Sequence, residues 1–123
     1  MAFEELTEKI IGAAMKVHSA LGPGLLESAY EKCLLFELHK AGLEAVSQVR
    51  LPIVYEGMKI DAGYRIDLLV EDSVIVEVKA VEKLIPIHHA QLISYLKLSG
   101  KRVGLLINFH VDHLRDGLKR IAN

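Results

Sequence analysis

The stretch YRIDLLVEDSVIVEVKA, residues 64–80, predicts two antiparallel strands joined by a short loop. Apolar and polar residues alternate on both sides of the loop Glu71-Asp72-Ser73, which is the pattern of half-buried strands. We therefore expect strands over residues 59–70 and 74–81. Glycine at position 63 allows a kink in the first of them.

The apolar residues of these two strands also set their pairing. One core face is shared by six of them: Ile66, Leu68, Val70, Val74, Val76 and Val78. This requires position 70 opposite 74, 68 opposite 76 and 66 opposite 78, since a slip by one residue would turn the valines away from the core. The same register places Asp67 opposite Glu77 and Arg65 opposite Lys79. Asp67, Glu77 and Lys79 are thereby predicted to cluster on one sheet face.

This cluster brings two carboxylates and an amine together. Directly opposed residues have Cβ atoms roughly 5 Å apart, and two carboxylates at that distance repel each other. Mg²⁺ would relieve the repulsion, because it binds one or two protein carboxylates together with water and substrate phosphates. Lys79 could orient a water or offset charge that develops at phosphorus. The alternative is a solvated strand face with ordinary ion pairs, unless helices cover both sheet faces and place the cluster in a cleft.

Two further stretches place polar side chains at helical spacing. In the sequence GLLESAYE, Glu27 and Glu31 are one helical turn apart, and Tyr30 lies three positions after Glu27. Gln91 and Tyr95 are also one turn apart, in a later helix. Both stretches have an ordinary interpretation as well. The first is an acidic helical turn favoured by the helix dipole, and the second is a surface glutamine over a half-buried tyrosine.

Hydrophobic periodicity over the rest of the chain predicts an α/β fold with a mixed sheet between helices. We expect a single domain, residues 1–123, with helices over residues 4–20, 25–40, 86–99 and 112–121 and strands over residues 47–55, 59–70, 74–81 and 101–109. The step from the third strand through the helix at 86–99 to the fourth strand resembles a β-α-β crossover, which should be right-handed if those two strands are parallel.

Composition restricts the class of protein. With 51% hydrophobic and 25% charged residues among 123, the chain has the composition of an ordinary soluble domain. It contains no apolar run of the roughly 20 residues that a membrane span needs. The acidic, amphipathic start is unlike a secretory signal and Cys33 has no partner for a disulfide, so we expect a cytoplasmic protein. The net charge of −1 lacks the basic excess of a passive nucleic-acid binder.

Taken together, the polar motifs resemble those of a known family. GLLESAY at residues 24–30 resembles the signature of the GxxExxY proteins, which belong to the PD-(D/E)XK nuclease-like superfamily. Asp67 followed by EVK at residues 77–79 resembles the D…(D/E)xK core of that superfamily. QLISY at residues 91–95 resembles the QxxxY motif of its exonuclease-like branch, and LLINF at residues 105–109 fits the following strand.

The resemblance implies a fold, an activity and a set of site residues. The fold is a restriction-endonuclease-like αβββαβ core, with a mixed four-stranded sheet flanked by helices and extra N- and C-terminal helices. The activity is metal-dependent hydrolysis of phosphodiester bonds in nucleic acid, with DNA favoured over RNA and Mg²⁺ or Mn²⁺ as the cofactor. The implied metal ligands are Asp67, Glu77 and Glu27, the catalytic residues are Glu77, Lys79, Asp67 and Gln91, and the residues that support the substrate or the site are Tyr30 and Tyr95.

A non-catalytic module on the same fold, which binds nucleic acid or protein, is the alternative. The absence of a basic excess favours it, although metal ions could supply the missing positive charge. A chain of this length offers little surface beyond the site, so we also expect a homodimer or a partner protein and no membrane association. The apolar link Leu84–Ile87 is a candidate interface, or else it packs under the following helix.

Overall fold

The computed structural model describes residues 1–123, which form three α-helices and seven strands. The helices are α1 (Phe3–Leu21), α2 (Glu27–Lys40) and α3 (Pro86–Ser99). The strands are β1 (Ala45–Arg50), β2 (Ile53–Tyr55), β3 (Met58–Ile60), β4 (Arg65–Val70), β5 (Val74–Lys79), β6 (Val103–Asn108) and β7 (Leu118–Ala122). A short 3₁₀ helix, Leu114–Gly117, precedes β7.

Five strands form a mixed sheet in the order β1-β4-β5-β6-β7, and β2 pairs only with β3. Strands β5 and β6 are parallel, and every other neighbouring pair is antiparallel. The predicted β-α-β crossover is therefore present, with α3 as its helix. The predicted α/β fold with a restriction-endonuclease-like mixed sheet is confirmed, and the sheet has five strands instead of four.

Two apolar clusters cover the two faces of this sheet. Alternate residues of β5 divide between them, since Val76 belongs to the larger cluster and Ile75 to the smaller one. The larger cluster contains the buried stripes of α1 and α2, and the smaller one contains the buried residues of α3. Helices thus flank both faces of the sheet. No helix is long and apolar enough to cross a membrane.

The helix predicted over residues 112–121 is wrong. That segment forms the 3₁₀ helix and then β7, which pairs along β6. Without β7, the outer edge of β6 would present unpaired peptide groups within a strand that is buried throughout, and such groups are costly. Gly117 allows the close approach at the turn, because a Cβ there would collide with the main-chain oxygen of Asn108.

Two of the predicted strands are each divided in the structure. The strand predicted over residues 47–55 separates into β1 and β2 at Leu51-Pro52, where proline lacks the N–H that a ladder needs. The strand predicted over residues 59–70 separates into β3 and β4 around Gly63, which has a φ of 84°. The third predicted strand ends at Lys79 instead of residue 81.

Candidate active site

The β4–β5 hairpin has the predicted register along its first three residue pairs. Val70 pairs with Val74 and Leu68 pairs with Val76, on either side of the loop 71–73. The regular ladder ends there. The next position in the same register would pair Asp67 with Glu77, and this is where the two carboxylates lie.

At this position the carboxylates of Asp67 and Glu77 accept the peptide N–H groups that carbonyl groups would accept in a regular ladder. The peptide N–H of Asp67 donates to Oε2 of Glu77 over 2.9 Å, and the N–H of Val78 donates to Oδ2 of Asp67 over 2.8 Å. Each carboxylate is therefore held by the backbone of the opposite strand. The second oxygen of each accepts no peptide N–H. We call this arrangement the crossed carboxylate pair.

The break in the ladder also changes which face Ile66 occupies. We expected it in the same core as the other five apolar residues of the hairpin, and this is wrong, because Ile66 packs in the smaller cluster with α3. The neighbouring strand is irregular at the same level. Gln48 lies between the pairs Ser47–Leu68 and Val49–Ile66, is itself unpaired, and has a φ of 54°. Regular alternation along β4 therefore ends at Asp67.

Burial raises the pKa of both central carboxylates, and a neighbouring carboxylate adds to the rise at each, Asp67 at Glu77 and Glu27 at Asp67. Desolvation, followed by the charge of Asp67, raises the pKa of Glu77 to about 8. Desolvation also raises the pKa of Asp67, and the N–H of Val78 and the charge of Lys79 oppose the rise. In the absence of a cation, the folded protein consequently favours a proton on this pair.

Lys79 ends β5 beside the pair, and its main chain is anchored on both sides. Its carbonyl oxygen accepts the N–H of Phe109 over 2.9 Å. The buried side chain of Asn108 then accepts the N–H of Val81 and donates to the carbonyl of Val81, over 3.0 and 2.9 Å. Asn108 therefore fixes the chain just after the lysine. From the sequence alone, the one signal for this role is that a polar residue, Asn108, stands at the end of an apolar strand.

Acidic groups of α2 complete one side of the site. Oε2 of Glu27 accepts the N–H of Ala80 over 3.3 Å, so Glu27 lies close to the predicted catalytic lysine. The amide of Gln48 donates to both oxygens of Glu31 over 3.0 Å and also lowers the pKa of Asp67. Burial raises the pKa of Glu31. Sequence reasoning gave Gln48 no role, because nothing in a local pattern connects it to a helix seventeen residues earlier.

Tyr30 lies beneath the site instead of in the cleft. It is completely buried, and its ring stacks on Phe109 with the centroids 4.6 Å apart. Its hydroxyl donates to the carbonyl of Gly22 over 2.6 Å and accepts the N–H of Leu25 over 3.1 Å. These contacts fasten the turn that begins α2, and so they help to position Glu27.

Gln91 and Tyr95 occupy the α3 side of the site. The Gln91 amide donates to the Tyr95 hydroxyl over 3.3 Å. Burial raises the pKa of Tyr95, and the charges of Glu77 and Asp67 add to the effect, so the phenol lies within electrostatic reach of the crossed carboxylate pair. The structure thus brings Glu27, Asp67, Glu77, Lys79, Gln91 and Tyr95 around one region, with Tyr30 as a support behind it.

The donors at this site are carboxylate oxygens, which are hard ligands of the kind that divalent cations such as Mg²⁺ prefer. No group of three or more His, Cys, Asp and Glu side chains is arranged to hold a metal ion. The crossed carboxylate pair supplies hard oxygen ligands, and Mg²⁺ commonly takes only one or two carboxylates together with waters and phosphate oxygens. The residues present therefore fit such an ion, without forming a closed cage of protein ligands.

Comparison with protein families gives one match. The family described as the PD-(D/E)XK nuclease superfamily matches residues 4–121, which is nearly the whole chain. The match includes both carboxylates, the lysine and the α3 pair. No curated protein and no solved structure matches the chain.

Proposed function

Since the chain belongs to the PD-(D/E)XK nuclease superfamily, we propose that it is a divalent-metal-dependent nuclease that hydrolyses phosphodiester bonds, in DNA rather than RNA. The observation that carries the proposal is the crossed carboxylate pair, with Lys79 at the end of the same strand. A purely structural ion-pair strand would not need a buried carboxyl group beside a half-buried one, each anchored by the opposite backbone. The GLLESAY motif further supports membership of the GxxExxY group.

Each residue has a distinct role in this proposal. Asp67 and Glu77 would hold Mg²⁺ or Mn²⁺, with Glu27 beside them. When bound, such an ion lowers the pKa of water and neutralises charge on the scissile phosphate. Lys79 stabilises negative charge that develops on the phosphate, because its ammonium group lies on the same strand face as Glu77. Gln91 and Tyr95 fix the position of the substrate from the α3 side.

A cleavage assay with matched variants tests this proposal. Linear, circular and single-stranded DNA and RNA are incubated with Mg²⁺ or Mn²⁺ and with wild type, Asp67→Asn or Lys79→Met. The control is Lys83→Met, because Lys83 is exposed in the loop after β5. We expect cleavage by wild type and the control, and a loss of at least about 100-fold in the two site variants. Equal cleavage by all four proteins would identify a contaminant and contradict the assignment.

A non-catalytic module is the second candidate, and the net charge of −1 favours it. Calorimetric titration with Mg²⁺ separates the two functions. Heat that disappears in Asp67→Asn indicates a metal site and supports the nuclease. Nucleic-acid binding by folded wild type with no metal dependence and no cleavage would instead support the module.

We also propose that the chain forms a homodimer, through only part of the apolar link 84–87. In the link 84–87, Leu84 packs against the smaller cluster, whereas Ile85 is 49% exposed. Ile87 is 65% exposed. We expect Ile85 to contribute to contact with a second copy, and light scattering on wild type and Ile85→Asp tests this. A monomeric wild type would contradict the interface.

A further inference from the structure

A groove lies beside α3, next to the candidate active site. It has a volume of about 560 Å³, within the range of small-molecule sites. Its principal lining residues are Ile53, Tyr64, Ile87, Gln91, Tyr95 and Leu98. We call it the α3 groove. The cavity of similar size near the end of α1, about 580 Å³, contains none of the site residues.

The α3 groove is continuous with the site through two side chains. Gln91 and Tyr95 line it, and they are joined by their hydrogen bond. Tyr95 also lies within electrostatic reach of Glu77 and Asp67. Tyr95 therefore borders both the groove and the region of the crossed carboxylate pair.

The lining is uncharged and partly aromatic. None of its nine residues is Asp, Glu, Lys or Arg, and six are hydrophobic. Tyr64 is 41% exposed, and its ring meets that of Tyr95 edge-on with the centroids 6.0 Å apart. A neutral, flat, apolar group suits this lining, whereas a phosphate would find no lysine or arginine there and a cationic side chain would find no carboxylate.

The position of Tyr64 is fixed by its main chain. Its carbonyl oxygen accepts the N–H of Leu51 over 3.0 Å and the guanidinium of Arg65 over 2.9 Å. The ring therefore stands at the start of β4, three residues before Asp67, with one part exposed. Aromatic side chains presented in this way are the common platform for single-stranded bases.

We propose that the α3 groove binds one unstacked nucleobase beside the scissile phosphate, so that the substrate is single-stranded nucleic acid or a frayed end. The inference rests on the proposed nuclease function and adds a substrate class to it. A base inside a continuous duplex cannot reach the groove, because it is stacked and paired. Stacking on an aromatic ring does not distinguish the bases, so we expect the groove to accept any of them.

Anisotropy of a fluorescein-labelled oligothymidylate, in Ca²⁺ to prevent cleavage, measures the contribution of the groove. The probe is used intact, with single abasic positions, or annealed as a blunt duplex. We expect wild type to bind the intact strand more tightly than the duplex. It should also bind the intact strand more tightly than the strand whose abasic position weakens binding most. Tyr64→Ala should weaken binding of the intact strand about 5- to 150-fold, which corresponds to about 1–3 kcal/mol of stacking. Binding of that abasic strand should change little.

Two further variants separate stacking from other effects. Tyr64→Phe should retain the wild-type affinity, because the ring is preserved. Tyr55→Ala removes a tyrosine that is 63% exposed in β2 and does not line the groove, so it should bind normally. Circular dichroism confirms that each variant is folded.

The outcomes distinguish this inference from the proposed function. Cleavage by wild type with no effect of Tyr64→Ala or of any abasic position would overturn the groove assignment and leave the nuclease intact. Base-dependent binding without cleavage in Mg²⁺ or Mn²⁺ would support the groove and contradict the nuclease. Tighter binding of duplex than of single strand would overturn the inference, as would no binding of any probe.

Discussion

The sharpest prediction concerns Glu77→Gln in protein freed of metal. Glutamine keeps an oxygen that can accept the N–H of Asp67 and removes the buried charge. The folded pKa of Glu77 is about 8, against 4.5 for the ordinary group. Because the fold raises this pKa, the folded state binds the proton more tightly. The contribution of this proton to the free energy of unfolding is fully present below about pH 4.5 and is lost as the pH rises through about 8.

The difference between these pKa values, about 3.5, corresponds to at most about 5 kcal/mol. This value is an upper limit, because part of the rise in the pKa of Glu77 comes from the charge of Asp67. Water that enters around the Glu77 carboxylate also lowers the free energy of burying its charge. At about pH 9 we therefore expect Glu77→Gln to be more stable than wild type by on the order of 3 kcal/mol. The two proteins should have similar stabilities near pH 4.5, where Glu77 is protonated in the wild type.

Urea unfolding followed by circular dichroism, in EDTA at several pH values between about 4.5 and 9, gives these free energies. Circular dichroism is the suitable signal because the chain has no tryptophan. Glu8→Gln, on the exposed side of α1, is the matched control and should follow the wild type. Parallel curves for wild type and Glu77→Gln, or a less stable variant at about pH 9, would refute the argument that this carboxylate is buried and repelled.

Substitutions at three further positions test the structural supports of the site by thermal unfolding. Tyr30→Phe removes both hydroxyl hydrogen bonds while the stack on Phe109 remains, and we expect a loss of about 1–3 kcal/mol; an unchanged midpoint would contradict the anchoring role. Gln48→Gly should be more stable than Gln48→Ala by about 1 kcal/mol, because both variants lose the hydrogen bond to Glu31 but only alanine is strained at a φ of 54°. The reverse order of stability would count against that backbone geometry. Gly117→Ala should destabilise the protein by at least about 2 kcal/mol through a collision with main-chain atoms, and a neutral effect would show that the turn is looser than described.

Local patterns predicted the parts of the fold that short-range physics controls. The alternation of apolar residues gave the register of β4 and β5 up to Leu68, because any slip would expose the valines. Pro86 and Gly100 marked the ends of α3 correctly. The same reasoning placed both carboxylates at one level of the sheet, which is where each accepts a peptide N–H of the opposite strand.

Other features depend on tertiary contacts that no local pattern contains. The segment over residues 118–122 becomes a strand because β6 offers an open, buried edge for it. Ile66 changes face because the ladder ends beside it, and the alternating sequence continues through that point without any signal. Gln48 enters the site only because β1 pairs with β4 and brings it beside α2.

The broken ladder explains how the fold keeps two like charges together. In a regular sheet, the peptide N–H groups of Asp67 and Val78 would be available only to carbonyl groups of neighbouring strands. Here they bind the two carboxylates, and these main-chain dipoles hold each charge in place while desolvation makes it costly. The pair is therefore positioned before any ion arrives, and its raised pKa values are the cost of that arrangement. Either a proton or a cation relieves the repulsion, and a divalent cation can in addition coordinate phosphate oxygens, as the proposed nuclease function requires.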